Sequence, residues 1–189
     1  MELKSTTTQE WVDAVVANFD HFLLDHAANE RKASAAALTF LVRFPDKTKL
    51  IEPMIVLARE ELAHFHRVYK LMEARGLVFE RDTKDPYLAQ LRRETATSQT
   101  DELLDRLLLA GVVEARGCER FFLVAGAVGD TELGRFYTDL AQSESRHADL
   151  FVTLAEHYFD RPVIHARLDE LLDIEARVVA KLPIRAALH

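Results

Sequence analysis

Tyr137-Thr-Asp-Leu-Ala-Gln-Ser-Glu144-Ser-Arg-His147-Ala-Asp-Leu-Phe151 is the stretch whose reading decides the fold. At helical spacing it has an apolar face of Tyr137, Leu140, Ala141, Ala148 and Phe151, continued by Leu154, and Glu144 and His147 fall in the middle of that face. Three residues apart, they project the same way from adjacent turns. An ionisable pair on a buried stripe is costly unless something compensates it. A bound metal ion is the compensation this pair suggests, provided the rest of the chain supplies further ligands.

Working outward, the same period organises the whole sequence. An N-cap-like Thr8 precedes a first helix whose apolar positions Val15, Phe19, Phe22, Leu23, Ala27, Ala33, Ala37 and Leu41 carry it to about Val42, where Phe44-Pro-Asp breaks it. A second helix begins near Asp46 or Lys47, or closer to Glu52 because Pro53 suits a first turn. It follows Ile51, Met54, Leu57, Ala58, Phe65, Val68, Leu71 and Met72 to a C-cap at Gly76. Residues 77–99 read as a long crossover holding a short helix, Tyr87 to Arg93. A third helix runs from about Thr100 to Gly126, and a fourth, containing the opening stretch, from Asp130 to about Tyr158. A fifth covers about Ile164 to Lys181, stopped by Pro183. No period-2 pattern of useful length is present. The sequence therefore predicts an all-α fold in one domain over 1–189: a ferritin-like four-helix bundle with a long crossover between helices two and three and an extra C-terminal helix.

Composition narrows the function classes. The 189 residues, 49% hydrophobic and 29% charged, describe an ordinary globular chain with enough length for a sizeable core. A single cysteine, Cys118, excludes an internal disulfide framework, a cysteine-rich zinc site and an iron–sulfur centre built from this chain alone. No apolar signal core or uninterrupted span of about 20 apolar residues is seen, so a cytoplasmic protein with no membrane partner is expected. The net charge of -7 argues mildly against nucleic-acid binding, although a local basic patch remains compatible with it.

The second helix contains Glu61-Leu-Ala-His64 and the fourth Glu144-Ser-Arg-His147. Glu30 precedes the first pair by 31 residues, and Glu114 precedes the second by 30, so the halves repeat as a duplicated helical hairpin with an offset of 83–84. Spacing alone is a weak signal, since this composition gives about 0.7 Glu-x-x-His pairs by chance. The surroundings discriminate better. Glu30 lies among Leu23, Ala27, Ala33 and Ala37; Glu61 among Leu57, Ala58, Phe65 and Val68; Glu114 among Leu107, Ala110, Gly111, Cys118 and Phe121. Four inward carboxylates repel one another and lose hydration. Two divalent cations cancel their formal charge and leave the imidazoles neutral. A carboxylate-rich set with one nitrogen per metal suits iron or manganese better than a structural zinc, and di-iron carboxylate bundles use this ligand set. Taken singly, each of the six reads better as a surface glutamate or a satisfied core histidine; together, on one face of four helices, they read as a metal centre.

Other residues take ordinary readings. His66, His157, His165 and His189 are expected to be exposed or locally hydrogen-bonded. His26, one turn before Glu30, is expected in the core or behind a ligand. Glu60 reads as a solvated residue or a partner orienting His64, and Glu119 as an ordinary carboxylate before one near the site. Cys118, Gly111 and Gly117 remove bulk beside Glu114, either to make room for oxygen or substrate or to let helices pack closely.

The words around the ligands carry a resemblance. His26-Ala-Ala-Asn-Glu-Arg-Lys-Ala-Ser34, Arg59-Glu-Glu-Leu-Ala-His-Phe-His66, Val113-Glu-Ala-Arg-Gly-Cys-Glu-Arg-Phe121, Gly134-Arg-Phe-Tyr137 and Glu144-Ser-Arg-His147 resemble the tRNA hydroxylase family that acts on 2-methylthio-isopentenyl-adenosine, over nearly the whole chain. The resemblance implies a non-haem di-iron monooxygenase that uses dioxygen as co-substrate to hydroxylate the isopentenyl side chain of a modified adenosine next to the anticodon of tRNA. It implies Glu30, Glu61, His64, Glu114, Glu144 and His147 as ligands of two iron ions, and all six positions are filled. No flavin, nicotinamide or iron–sulfur fingerprint is present, so an external electron-donor reductase is expected. A monomer or small homo-oligomer is expected. For RNA contact, Arg43, Lys47 and Lys49 at the first hairpin and Arg92 and Arg93 in the crossover are candidates, against a reading as solubilising charges. The alternative on the same metal site is a ferritin-like peroxidase or oxygen scavenger without an RNA substrate; an iron-storage subunit and a metal-free helical module are further readings.

Overall fold

The structure, a computed structural model, describes residues 1–79, 81, 84–95 and 101–189. Among them there are seven helices and no strand: α1 (Gln9–Ala17), α2 (Phe19–Arg43), α3 (Thr48–Ala74), α4 (Pro86–Thr95), α5 (Glu102–Val128), α6 (Glu132–Ala155) and α7 (Arg161–Lys181). The expected all-α class and ferritin-like order are borne out: a hairpin, a crossover with a short helix, a second hairpin, and a C-terminal helix. The expected start of the third long helix at Thr100 falls outside the described residues; the helix is in place from Glu102.

One expectation is corrected. The first predicted helix, continuous to Val42, is two helices parted at Asn18, where φ and ψ are -134° and 48°. The Asn18 amide donates to the Ala14 carbonyl at 3.2 Å, and its backbone N–H is shared between Ala14 and Val15 at 3.1 and 3.2 Å. A short polar side chain that bonds back to the preceding turn competes with helix continuation.

Caps set the remaining ends. Gly76, with φ of +69°, closes α3: Leu77 N–H donates to the Met72 carbonyl and Gly76 N–H to Glu73, both at 3.0 Å. These are the two bonds of a Schellman motif, and glycine takes the left-handed conformation without a Cβ penalty. Asp101 caps α5 through Leu103 N–H at 2.8 Å, and Thr131 caps α6 through Gly134 N–H at 3.0 Å. Pro53 is accommodated inside α3, so that helix starts at Thr48 rather than near Glu52.

The chain divides into two compact units, Ala14–Thr83 with Arg185–Leu188, and Met1–Asp13 with Lys84–Ile184 and His189. In the first, α2 packs along α3, and Ser34 Oγ donates to the Ala58 carbonyl at 2.7 Å, a buried link between the helices. Leu188 N–H donates to Asp25 Oδ2 at 2.7 Å. In the second unit α5 packs along α6, α7 lies on α5, and α4 lies on α7. Tyr87 and Leu91 of α4 and Val178 of α7 form a buried cluster there. The extra C-terminal helix is thus attached through α5. A Cβ on Gly111 would stand 3.2 Å from the Ala148 carbonyl oxygen and 3.4 Å from the Phe151 Cβ, so this glycine serves close approach of α5 to α6.

Candidate metal centre

Glu30 comes from the middle of α2, and Glu61 and His64 from successive turns of α3. Their side chains interrupt buried stripes because these positions share the core period, and the exposures of Glu30, Glu61 and His64 are 4%, 1% and 7%. His64 Nδ1 stands 3.6 Å from Glu30 Oε2 and 3.5 Å from Glu61 Oε2, and the three residues each offer a donor atom within 4.8 Å of the others. Behind them, fully buried His26 is 2.7 Å from Glu30 through Nε2 and Oε1. The Ser34–Ala58 bond lies one turn beyond Glu30 and one turn before Glu61, fixing the two helices where the carboxylates leave them.

In the second unit Glu114 comes from α5 and Glu144 and His147 from α6. Glu144 and His147 are buried, Glu114 half-buried, and His147 Nδ1 is 3.0 Å from Glu144 Oε2. These three also offer donor atoms within 4.8 Å of one another. Gly117 faces Glu144: a Cβ there would lie 3.9 Å from Glu144 Cγ, an ordinary contact, so its small size does not reserve space beyond the carboxylate.

The donor sets suit metal ions. Donors about 2.1 Å from one divalent ion lie about 3 Å apart when adjacent and about 4.2 Å apart when opposite, which is the scale of each trio. Each trio offers two carboxylates, the formal charge of one divalent cation, and one imidazole through Nδ1. The buried arginines among the described residues, Arg116, Arg120 and Arg167, lie in the second unit. Arg116 and Arg167 pair there with Glu175, Glu119 and Asp105.

The Arg116 cluster escaped sequence reasoning. Arg116 and Glu175 are both fully buried and joined by two bonds, Nε to Oε1 at 2.8 Å and Nη2 to Oε2 at 2.9 Å. Arg116 also donates to Glu119, to the Thr7 hydroxyl at 3.2 Å and to the Ser5 carbonyl at 3.0 Å. Tyr87 donates its hydroxyl to Glu175 at 3.2 Å. Burial pushes the Tyr87 phenol well above its usual range, with the Glu175 carboxylate next in effect. Arg120 stacks 4.8 Å above Trp11, and burial, followed by Arg116, draws its guanidinium down to about 10. Glu119, for which a place near the metal site is the lesser reading of the sequence, is committed to this clamp on the N-terminal segment: Thr7 donates to it from both N–H, at 2.8 Å, and hydroxyl, at 2.7 Å. The available signal was two arginines and two glutamates breaking the apolar stripes of α5 and α7.

The other expectations resolve one by one. His66, His157 and His165 are exposed, and Glu60 lies on the exposed side of α3. His189 is corrected: only 6% of its side chain is exposed, and its ring stacks on Tyr87 at 4.9 Å and 9°. Its imidazole is drawn down to about 4, first by burial, against the pull of Asp85. Burial raises the Cys118 thiol, with the Glu144 carboxylate adding to it, which keeps this cysteine a thiol. Arg43, Lys49, Arg92 and Arg93 are exposed, and Lys47 pairs with Asp46 at 3.2 Å. No helix among the described residues is long and apolar enough to cross a membrane.

Comparison with known proteins agrees with this arrangement. A sequence profile of the family described as tRNA-(MS[2]IO[6]A)-hydroxylase (MiaE) matches residues 1–189. The chain is 37% identical, over 88% of its length and 80% of the relative's, to the tRNA 2-(methylsulfanyl)-N(6)-isopentenyladenosine(37) hydroxylase of Pseudomonas putida. It is 33% identical to the Salmonella typhimurium protein of the same description, over 69% of this chain and 48% of that one. Among solved structures it is similar to a Synechococcus protein described as having aldehyde deformylating oxygenase activity, with a TM-score of 0.91, 36% identity, and coverage of 99% of this chain and 94% of that one. A helical chain of ferritin-like order, with a buried Glu/His donor set fit for a di-iron site and a family match from end to end, belongs to the tRNA-(MS[2]IO[6]A)-hydroxylase family and is an enzyme of that tRNA-modifying class.

Proposed function

We propose that the chain is a single domain over 1–189 in which Glu30, Glu61 and His64, and Glu114, Glu144 and His147, hold two iron ions, and that the protein hydroxylates the isopentenyl side chain of 2-methylthio-isopentenyl-adenosine next to the anticodon of tRNA, in the cytoplasm. The observation that carries this is the pair of matched trios, each with two carboxylates and a histidine ring nitrogen inside 4.8 Å. Bound iron supplies the dioxygen activation that side chains lack.

The protein's own residues do the rest. His26 holds Glu30 by its second oxygen, and the Ser34–Ala58 bond keeps the carboxylates of α2 and α3 in register. Apolar neighbours, among them Ala27 and Ala58, and Ala141 and Ala148 in the other unit, keep bulk water from the donors. One oxygen atom enters a carbon–hydrogen bond and the other leaves as water. This requires two electrons and two protons, and these come from an external reductase because the sequence has no flavin, nicotinamide or iron–sulfur fingerprint. The protein acts as a monomer or small homo-oligomer.

The test is mass analysis of nucleosides from modified tRNA incubated with the reduced, iron-loaded protein under oxygen. The expected product is the modified adenosine heavier by one oxygen atom. Metal binding with peroxide turnover and no change in the nucleoside would establish the scavenger instead. Turnover of an aldehyde in place of tRNA would assign the chemistry named for the Synechococcus protein. Failure to bind metal would remove every redox reading.

A further inference from the structure

A net charge of -7 is a poor match for an RNA substrate, but the charge is unevenly placed. The unit Ala14–Thr83 with Arg185–Leu188 carries eleven Lys and Arg against ten Asp and Glu, a formal +1, which leaves -8 on the other unit. Two of those ten acids, Glu30 and Glu61, are buried. Counted without them, the formal charge of this unit is +3.

The same unit carries an aromatic patch that its own packing covers only in part: Tyr69 is exposed, and Phe65 and Phe79 are half-buried. On α3, Phe65 and Tyr69 are one turn apart with ring centroids 6.5 Å apart, and Phe79, just past the helix, lies 5.7 Å from Phe65 and stacks on Tyr69 at 6.0 Å and 5°. Tyr69 is 36% exposed and Leu62, on the same face, 54%. Cations are interleaved with the rings: the Arg31 guanidinium stands 5.7 Å from the Phe79 centroid and the Lys70 ammonium 5.9 Å from that of Tyr69. Lys70 also pairs with Glu73 at 2.9 Å on the exposed side of α3.

The patch begins beside the metal trio. Arg31 follows Glu30 and Phe65 follows His64 in sequence. Tyr69 is eight residues beyond Glu61, about 12 Å along the helix axis at about 1.5 Å per residue, the length of about three or four stacked nucleotides. Accessible ring faces with interleaved cations are the means by which proteins hold unpaired nucleotides: bases stack on the rings while phosphates meet the positive groups; here Tyr69 is the exposed ring, backed by half-buried Phe65 and Phe79. A protein partner would be met by the apolar surface alone and gives no reason for the positive charge.

We propose that Phe65, Tyr69 and Phe79, with Arg31 and Lys70, form the surface that receives the anticodon-loop nucleotides flanking the modified adenosine. This deepens the tRNA-hydroxylase reading and rests on it. It also moves the RNA contact from Arg43, Lys47, Lys49, Arg92 and Arg93, where charge alone had placed it, to a site that offers stacking as well.

The experiment measures binding of a fluorescent anticodon stem-loop RNA carrying the modified adenosine to the full-length, iron-loaded protein, over a series of salt concentrations, with helix and iron content checked for every variant. Tyr69→Ala and Phe79→Ala should each weaken binding about tenfold or more, while Tyr69→Phe, which keeps the ring, should bind as wild type does. Arg31→Ala should weaken binding and reduce the salt slope by about one. Lys70→Glu leaves the rings in place and should also weaken binding, so the surface stays testable even if Tyr69→Ala fails to fold. Wild-type affinity in folded Tyr69→Ala and Lys70→Glu would overturn the patch and leave the hydroxylase reading standing. A wild-type protein that neither binds nor hydroxylates the RNA would overturn both. Retained RNA affinity with loss only of reductase-driven turnover would make the patch a protein-docking face, and the proposal would fall.

Discussion

In the α2–α3 hairpin, the residue one turn before the first glutamate is His26, bonded to Glu30 at 2.7 Å; in the α5–α6 hairpin the matching residue before Glu114 is Ala110. Glu30 is buried and Glu114 half-buried. The first hairpin buries two carboxylates, Glu30 and Glu61, and no arginine; the second sets Arg116, two residues beyond Glu114, against Glu175 and Glu119. On α5, then, a fully buried guanidinium and a half-buried carboxylate sit two residues apart. One is closed by side chains of opposite sign. The other belongs to a Glu/His donor set, and in the proposed reading a metal ion balances its charge. The difference teaches that burial of a charge does not mark a site; what marks it is whether the protein itself completes the set.

The largest effect should come from the trios. His64→Ala and His147→Ala should each lower iron content and abolish tRNA hydroxylation while leaving helix content intact, read by metal analysis, nucleoside mass analysis and circular dichroism. Full activity in either variant would break the equivalence of the two hairpins and return that histidine to the core.

The closed cluster should respond in stability instead. Glu175→Ala strands the buried Arg116 guanidinium and should cost about 3–5 kcal/mol in urea unfolding. Replacing both partners, Arg116→Met with Glu175→Leu, should recover most of that loss. A single variant as stable as wild type would show that the clamp carries no net stabilisation.

A smaller effect separates the hairpins directly. His26→Ala removes the bond to Glu30 and should weaken metal affinity about 10- to 100-fold by competition with a chelator. The second hairpin has no histidine at Ala110 to lose, so the weakened ion should be one of two. Equal weakening of both would show that the centre responds as a whole.

The smallest effect is in pH dependence. His189 is buried beside Asp85, Tyr87, Arg116 and Arg120, with its imidazole drawn down to about 4 from an ordinary 6.5. Between those values the unfolded chain binds a proton that the folded chain refuses, so stability falls as pH drops through 6.5 and levels off near 4. His189→Gln should flatten this part of the stability profile relative to wild type in unfolding titrations at several pH values. Parallel profiles would assign the acid sensitivity to other groups.

Much of this was legible in the sequence because helices write their buried faces at a 3.6-residue period. Glu30, Glu61, Glu144 and His147 stood out by breaking that period, as the buried stripes of α2, α3 and α6 bear out. Asn18 was not legible, because its break comes from one side chain bonding to its own helix and not from a change of pattern. Nor was the stacking of His189 on Tyr87, since it joins residues 102 positions apart with no shared period.

The sequence by itself determined the long helices, their order, the duplicated Glu/His register and the family, because each depends on residues near one another in the chain or on their type. Tertiary structure decided which charges pair with which: that Glu119 and Glu175 belong to Arg116, that His26 belongs to Glu30, and that Phe65, Tyr69 and Phe79 gather beside Arg31. Those pairings follow from which helix faces meet, and a side chain's partner depends on distance in space rather than separation in sequence.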